Sequence, residues 1–137
     1  MIRDIKVEDA SSIALIARVS LGYNVTIEKV ASNILNIQNH FIKVFEKENR
    51  VVGFIQAEVY HTLYSDSGFN ILGLAVLPEY QGQGIGSELM DVLEQEKNLK
   101  QYSFIRLNSG VERVKAHQFY QHKGYVATKE QKRFIKL

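Results

Sequence analysis

The chain has 137 residues, a formal net charge of +2, 45% hydrophobic residues and 23% charged residues, which suits one globular domain with a single sizeable core. No block of Lys/Arg runs beyond two residues, so charge alone gives no support for a nucleic-acid partner. The absence of cysteine excludes disulfides, thiolate metal sites and a cysteine nucleophile. No apolar run reaches membrane-spanning length, and "MIRDIKVEDA" lacks the apolar core of a signal peptide. The expected location is cytoplasmic, without a membrane partner.

In chain order, "MIRDIKV" places Ile2, Ile5 and Val7 as a first strand. "EDASSIALIARVS" follows with Ile13, Ile16, Ala17 and Ser20 at helical spacing, and with Asp9 or Ser11 as N-cap. A second helix starts near Thr26 and carries Val30, Ile34 and Ile37 along one face. "HFIKVFEKENRVVGFIQAEVY" reads as a hairpin that turns at "EKENR", and "GFNILGLAVL" as a mostly apolar central strand stopped by Pro78. Residues 84–97 form a helix with Ile85, Leu89, Val92 and Leu93 toward the core; "YSFIRLNS" is a strand and 113–123 a helix. "GYVAT" and "KRFIKL" predict a closing hairpin around "KEQ". With no repeat and no linker, residues 1–137 predict a single α+β domain: a mixed sheet of about seven strands flanked by about four helices.

Residues 81–87, "QGQGIGS", join the central strand to a helix start. A helix's first turn has backbone N–H groups without intrahelical partners, and the helix dipole adds partial positive charge there. Glycine allows positive φ and close approach of an anion, so Gln81 to Ser87 predict a phosphate or pyrophosphate cradle. A P-loop is ruled out because the stretch has no lysine. The dinucleotide fingerprint fails because Ser87 stands where its third glycine belongs. The pattern Q/R-x-x-G-x-G/A is met in full by Gln81, Gly84 and Gly86. This stretch resembles the pyrophosphate loop of the GNAT superfamily of acyl-CoA-dependent N-acetyltransferases. Farther on, "LNSGVERVKAHQFYQHKGYVAT" resembles that family's later motif through Ala116, His117, Phe119, Tyr120, Gly124 and Tyr125. The two motifs follow in family order over residues 70–128. In its "AHQFY" form the later motif is most similar to that of the branch that acetylates small-molecule amines.

The resemblance implies acetyl-CoA as acetyl donor and an amine as acceptor, with no metal. It implies pyrophosphate on the backbone N–H groups of Gln83, Gly84, Ile85, Gly86 and Ser87, with Gln81 and Gly82 shaping the turn. Pantetheine would run beside Leu74, Ala75 and Val76 where the fourth and fifth strands splay apart. There Asn108 would hold the arm, and Arg113, Lys115, Gln118 or His122 would reach the 3′-phosphate. It further implies the Leu74 N–H as oxyanion donor and Tyr120 as the acid that protonates the departing thiolate. Many members carry a Glu just before the L-x-V of the central strand, whereas this chain has Asn70, Ile71, Leu72 and Gly73. The base is left open among Glu58, His61 and a water held by Asn70. Tyr23, Tyr60 and Tyr64 are candidates for an acceptor pocket. Direct attack by a small-molecule amine is the leading expectation; acetylation of a protein N-terminus or lysine, or a CoA-binding module without turnover, are the alternatives. Many relatives pair, so a homodimer is also admitted.

Overall fold

A computed structural model describes residues 1–137, which fall into two compact units, 1–107 and 108–137. The first contains β1 (Ile2–Asp4), α1 (Ala10–Leu21), α2 (Ile27–Asn36), β2 (His40–Lys47), β3 (Arg50–Tyr60), β4 (Gly68–Val76), α3 (Ile85–Leu99) and β5 (Phe104–Leu107). The second contains α4 (Val114–His122). No helix is long and apolar enough to cross a membrane.

The hairpin closes more tightly than "EKENR" suggests. Only Glu48 and Asn49 lie between β2 and β3, at φ 56° and 62°. Two consecutive left-handed residues match the twist of an antiparallel pair. The sheet runs in the order β1-β2-β3-β4-β5. The first three pairings are antiparallel, while β5 is parallel to β4, as a connection through a helix such as α3 allows. The core includes Ile16, Ile55, Leu77, Leu89, Met90 and Leu93, all fully buried. Burying such side chains contributes on the order of 2 kcal/mol each.

Asp9 does not cap α1 with its side chain. Its two carboxylate oxygens instead accept from Arg3 Nη1 and Nη2 at 2.9 Å each, and Oδ2 also accepts from Lys6 N–H at 2.8 Å. Arg3 Nε donates to Glu46 at 2.9 Å, tying β1, the turn before α1 and the end of β2 together. These bonds hold the Asp9 carboxyl below the usual carboxylate range, with the Arg3 hydrogen bond as the largest cause. By contrast, Thr26 caps α2 as its position predicts, accepting from Lys29 N–H at 3.0 Å.

The expected sheet of about seven strands is corrected to five. "GYVAT" and "KRFIKL" form no ladder, and Phe134 and Ile135 are 89% and 71% exposed. Their composition suits strands, but an isolated two-stranded hairpin is marginal in water unless a sheet edge buries one face.

Candidate active site

The site begins with a register irregularity in β4. Gln56 lies opposite Gly73 and Ala57 opposite Ile71, so Leu72 is left without a partner on β3. This is a β-bulge, which bends its strand and increases the local twist. On the other side, β4 pairs with β5 only from Gly68↔Phe104 to Ile71↔Leu107. The bulge therefore falls where the two strands stop pairing, and Leu72 to Val76 have no strand partner on the β5 side. Leu74, Ala75 and Val76 all lie on this one-sided stretch.

Beyond β4, the Val76 carbonyl accepts from Ser20 Oγ and from Gln81 Nε2, both at 2.9 Å. Gln81 therefore shapes the turn through its side chain, as its motif position implies. Gly82 and Gly84 follow at φ +79° and +85°, and a Cβ built on either meets no atom within 4 Å. Glycine is required here by backbone conformation, and the space beside each residue is open. Gly84 is the N-cap of α3 and no side chain caps it. The first intrahelical bond is Glu88 N–H to Gly84 C=O at 3.0 Å, so the N–H groups of Ile85, Gly86 and Ser87 have no partner within the helix. The helix dipole concentrates partial positive charge at the same place.

Two cations that neither motif contains stand near this turn. Lys47 Nζ donates to Gln83 Oε1 at 2.7 Å. Lys47 and Arg50 each lie 6.0 Å from the centroid of the Tyr80 ring. The signal lay in the hairpin, whose two-residue turn brings Lys47 and Arg50 side by side, but only tertiary packing sets them beside residues 80–83.

Glu58 is more than a solvated strand residue. It lies opposite Asn70, and Asn70 Nδ2 donates to its Oε2 at 2.7 Å. Asn70 in turn lies opposite Arg106, whose Nη1 donates to Asn70 Oδ1 at 2.8 Å. A carboxylate from the neighbouring strand thus stands next to Asn70. Arg106 lies 4.7 Å from the centroid of the Tyr60 ring, which meets Phe104 edge-on. His61 is exposed and joined to Ser67 through Nδ1 at 2.6 Å. Tyr23 and Tyr64 are also exposed, unlike the half-buried Tyr60.

In the second unit, Asn108 and Arg113 are exposed, as are Lys115, Gln118 and His122. The Ser109 hydroxyl is buried with no hydrogen-bond partner. Tyr120 packs edge-on against Phe119 and also faces Tyr125. Burial pushes the Tyr120 hydroxyl above the ordinary phenol value, opposed by the positive charge of Arg113. A phenol shifted upward keeps its proton throughout the neutral range.

Comparison with known proteins gives the family. Residues 38–127 match the model of the acetyltransferase (GNAT) domain. The chain is 30% identical over 129 residues to an aminoalkylphosphonate N-acetyltransferase of Salmonella typhimurium, covering 90% of this chain and 83% of that protein. Among solved structures, a transcriptional regulator from Bacillus halodurans C-125 superposes with a TM-score of 0.83 at 20% identity, over 99% of both chains. An aminoglycoside antibiotic 6'-N-acetyltransferase from Acinetobacter haemolyticus also gives 0.83, at 11% identity over 100% of this chain and 98% of that one. At such identities the structural likenesses speak for the fold alone. The family match and the Salmonella relative go further, and the chain belongs to the GNAT family of acetyltransferases and is an N-acetyltransferase.

Proposed function

We propose that this enzyme transfers the acetyl group of acetyl-CoA to a primary amine of a small molecule, by direct attack while both substrates are bound. One observation carries the reading: uncapped N–H groups at the start of α3, entered through two left-handed glycines, beside a stretch of β4 paired on one side only. The first feature suits a diphosphate. The second suits an extended amide-bearing arm, which Leu74 and Val76 pair as one strand pairs another. Gln83 to Ser87 hold the diphosphate, and Lys47 adds positive charge beside Gln83. Asn108 holds the arm, and Arg113 meets the 3′-phosphate.

The amine must first lose a proton, because an ammonium has no lone pair. Glu58 takes it; its Oε2 accepts from Asn70, which holds the carboxylate in place. The nitrogen then attacks the thioester carbon. The Leu74 N–H stabilises the oxyanion, a donor whose loss costs about 3 kcal/mol in related chemistry. The C–S bond breaks and Tyr120 protonates the departing thiolate. The Salmonella relative, whose name specifies a small amine, supports a small acceptor over a protein one.

The test is thiol release from acetyl-CoA with a panel of small amines and peptides. Release with small amines is the expected result. Release with peptides only would assign a protein acceptor, and tight CoA binding without release would make the chain a CoA-binding module.

A further inference from the structure

We infer that Arg106, acting through Asn70, is a positioning residue that orients the Glu58 carboxylate for proton abstraction. This rests on the reading of Glu58 as base. The three residues occupy directly opposed positions on β3, β4 and β5, and so form one row across the sheet. Arg106 Nη1 donates to Asn70 Oδ1 at 2.8 Å, and Asn70 Nδ2 donates to Glu58 Oε2 at 2.7 Å.

The row has a fixed polarity. A guanidinium can only donate, so it must face the amide oxygen of Asn70. The amide nitrogen is then turned toward β3, where it too can only donate. Glu58 Oε2 must accept, which an ionised carboxylate does with either oxygen. Turning the amide over would set N–H against N–H and oxygen against oxygen, so the pair of bonds also locks the amide. Arg106 is held in turn by the Tyr60 ring, 4.7 Å from centroid to guanidinium carbon. The half-buried setting of all three side chains strengthens each bond relative to water.

The row's place in the sheet gives it a role beyond stability. Asn70↔Arg106 is the next-to-last pair before β4 and β5 part, and the Leu72 bulge follows two residues later. The titratable and charged groups in the rows flanking Glu58 are His40 opposite it on β2, Tyr60 on β3 and Arg106 on β5. His40 is joined through Nδ1 to Gln56 at 3.0 Å. In the reaction, the acceptor ammonium gives its proton to Glu58, which passes it to solvent. The Asn70 bond holds one oxygen of Glu58 in place through each turnover.

The experiment measures kcat and KM separately, in variants whose folding is checked by melting. Glu58→Gln should lower kcat by about a hundred-fold, the scale of a lost general base. Asn70→Leu should lower kcat by about ten-fold with the KM for acetyl-CoA near wild type, because the base is left unheld while the donor site is intact. Arg106→Gln should lower kcat less, and Arg106→Lys should restore it toward the wild-type value. Adding Arg106→Gln to Asn70→Leu should lower kcat no further, because the arginine acts through the amide. Where leucine is not tolerated, Asn70→Ala removes the same donor and decides the point by the same readout. If Glu58→Gln keeps full kcat, the base reading falls and the positioning role falls with it. If Glu58→Gln lowers kcat but the Asn70 and Arg106 variants leave it unchanged, or if their effects multiply in full, Glu58 remains the base and the relay is overturned.

Discussion

Gly84→Ala separates the cost of a backbone conformation from the loss of a binding site. Gly84 has φ +85° and a Cβ there meets nothing within 4 Å; Gly22, at the end of α1, has φ +77° and is equally open. The two alanine variants should therefore lose similar stability. A left-handed alanine costs about 1–2 kcal/mol, offset by about 0.4–1 kcal/mol through a less flexible unfolded chain. The net loss of about 1 kcal/mol lowers the melting temperature by about 3–5 °C in a domain of this size. Only at Gly84 does the new methyl enter space reserved, in the proposed reading, for the diphosphate. Weakening charge-assisted bonds to the first-turn N–H groups should cost about 1.5–3 kcal/mol of binding, or about ten- to a hundred-fold in the Kd for CoA. Calorimetric titration with CoA, beside thermal melts of both variants, reads the two effects separately. Equal CoA affinity in the two variants would refute the cradle.

Tyr120→Phe should lower kcat by about ten- to a thousand-fold while CoA affinity stays near wild type; full turnover would remove the hydroxyl from the mechanism. Because burial raises the Tyr120 hydroxyl, the alkaline limb assigned to this acid should lie above pH ~10, the ordinary phenol value. Lys47→Gln should weaken CoA binding by about three-fold at low salt and have little effect at high salt, because an exposed charge is screened; a salt-independent loss would mean that the residue acts through Gln83 packing alone. Asp9→Asn should destabilise the fold by about 2–4 kcal/mol at neutral pH, since it leaves Arg3 facing a neutral amide. The Asp9 carboxyl is depressed in the folded state, so its contribution is complete above the ordinary carboxylate value and fades as pH falls through the folded one. Chemical denaturation from pH 7 to pH 3 should thus narrow the gap between wild type and Asp9→Asn, and a gap that stays constant would contradict this account.

The turn proposed as the cradle was legible in residues 81–87 because its physics is local. Left-handed glycines, an uncapped helix start and the preceding strand all lie within a dozen residues, and each leaves a mark in the order of residue types. Gln81 reaches only as far as the Val76 carbonyl, so even its structural task is a short-range one. The base was legible only as a choice among Glu58, His61 and a water at Asn70. The contact that singles out Glu58 for the proposed role joins residues twelve positions apart.

Arg106 is farther still, 36 positions from Asn70, and nothing in "YSFIRLNS" announces that it will stand opposite that residue. The same limit explains the sheet. "KRFIKL" has the residue types of a strand, but pairing depends on an available edge and a face to bury, which no local pattern contains.

The amino-acid order alone determined the turn chemistry, the succession of helices and strands as far as α4, and the kinship that follows from two ordered motifs, because these depend on neighbours along the backbone. Tertiary structure decided the five-stranded sheet, the Leu72 bulge in β4, and the meeting of Glu58, Asn70 and Arg106. Strand register sets which distant side chains face one another, and a slip of one residue would turn each of them to the opposite face.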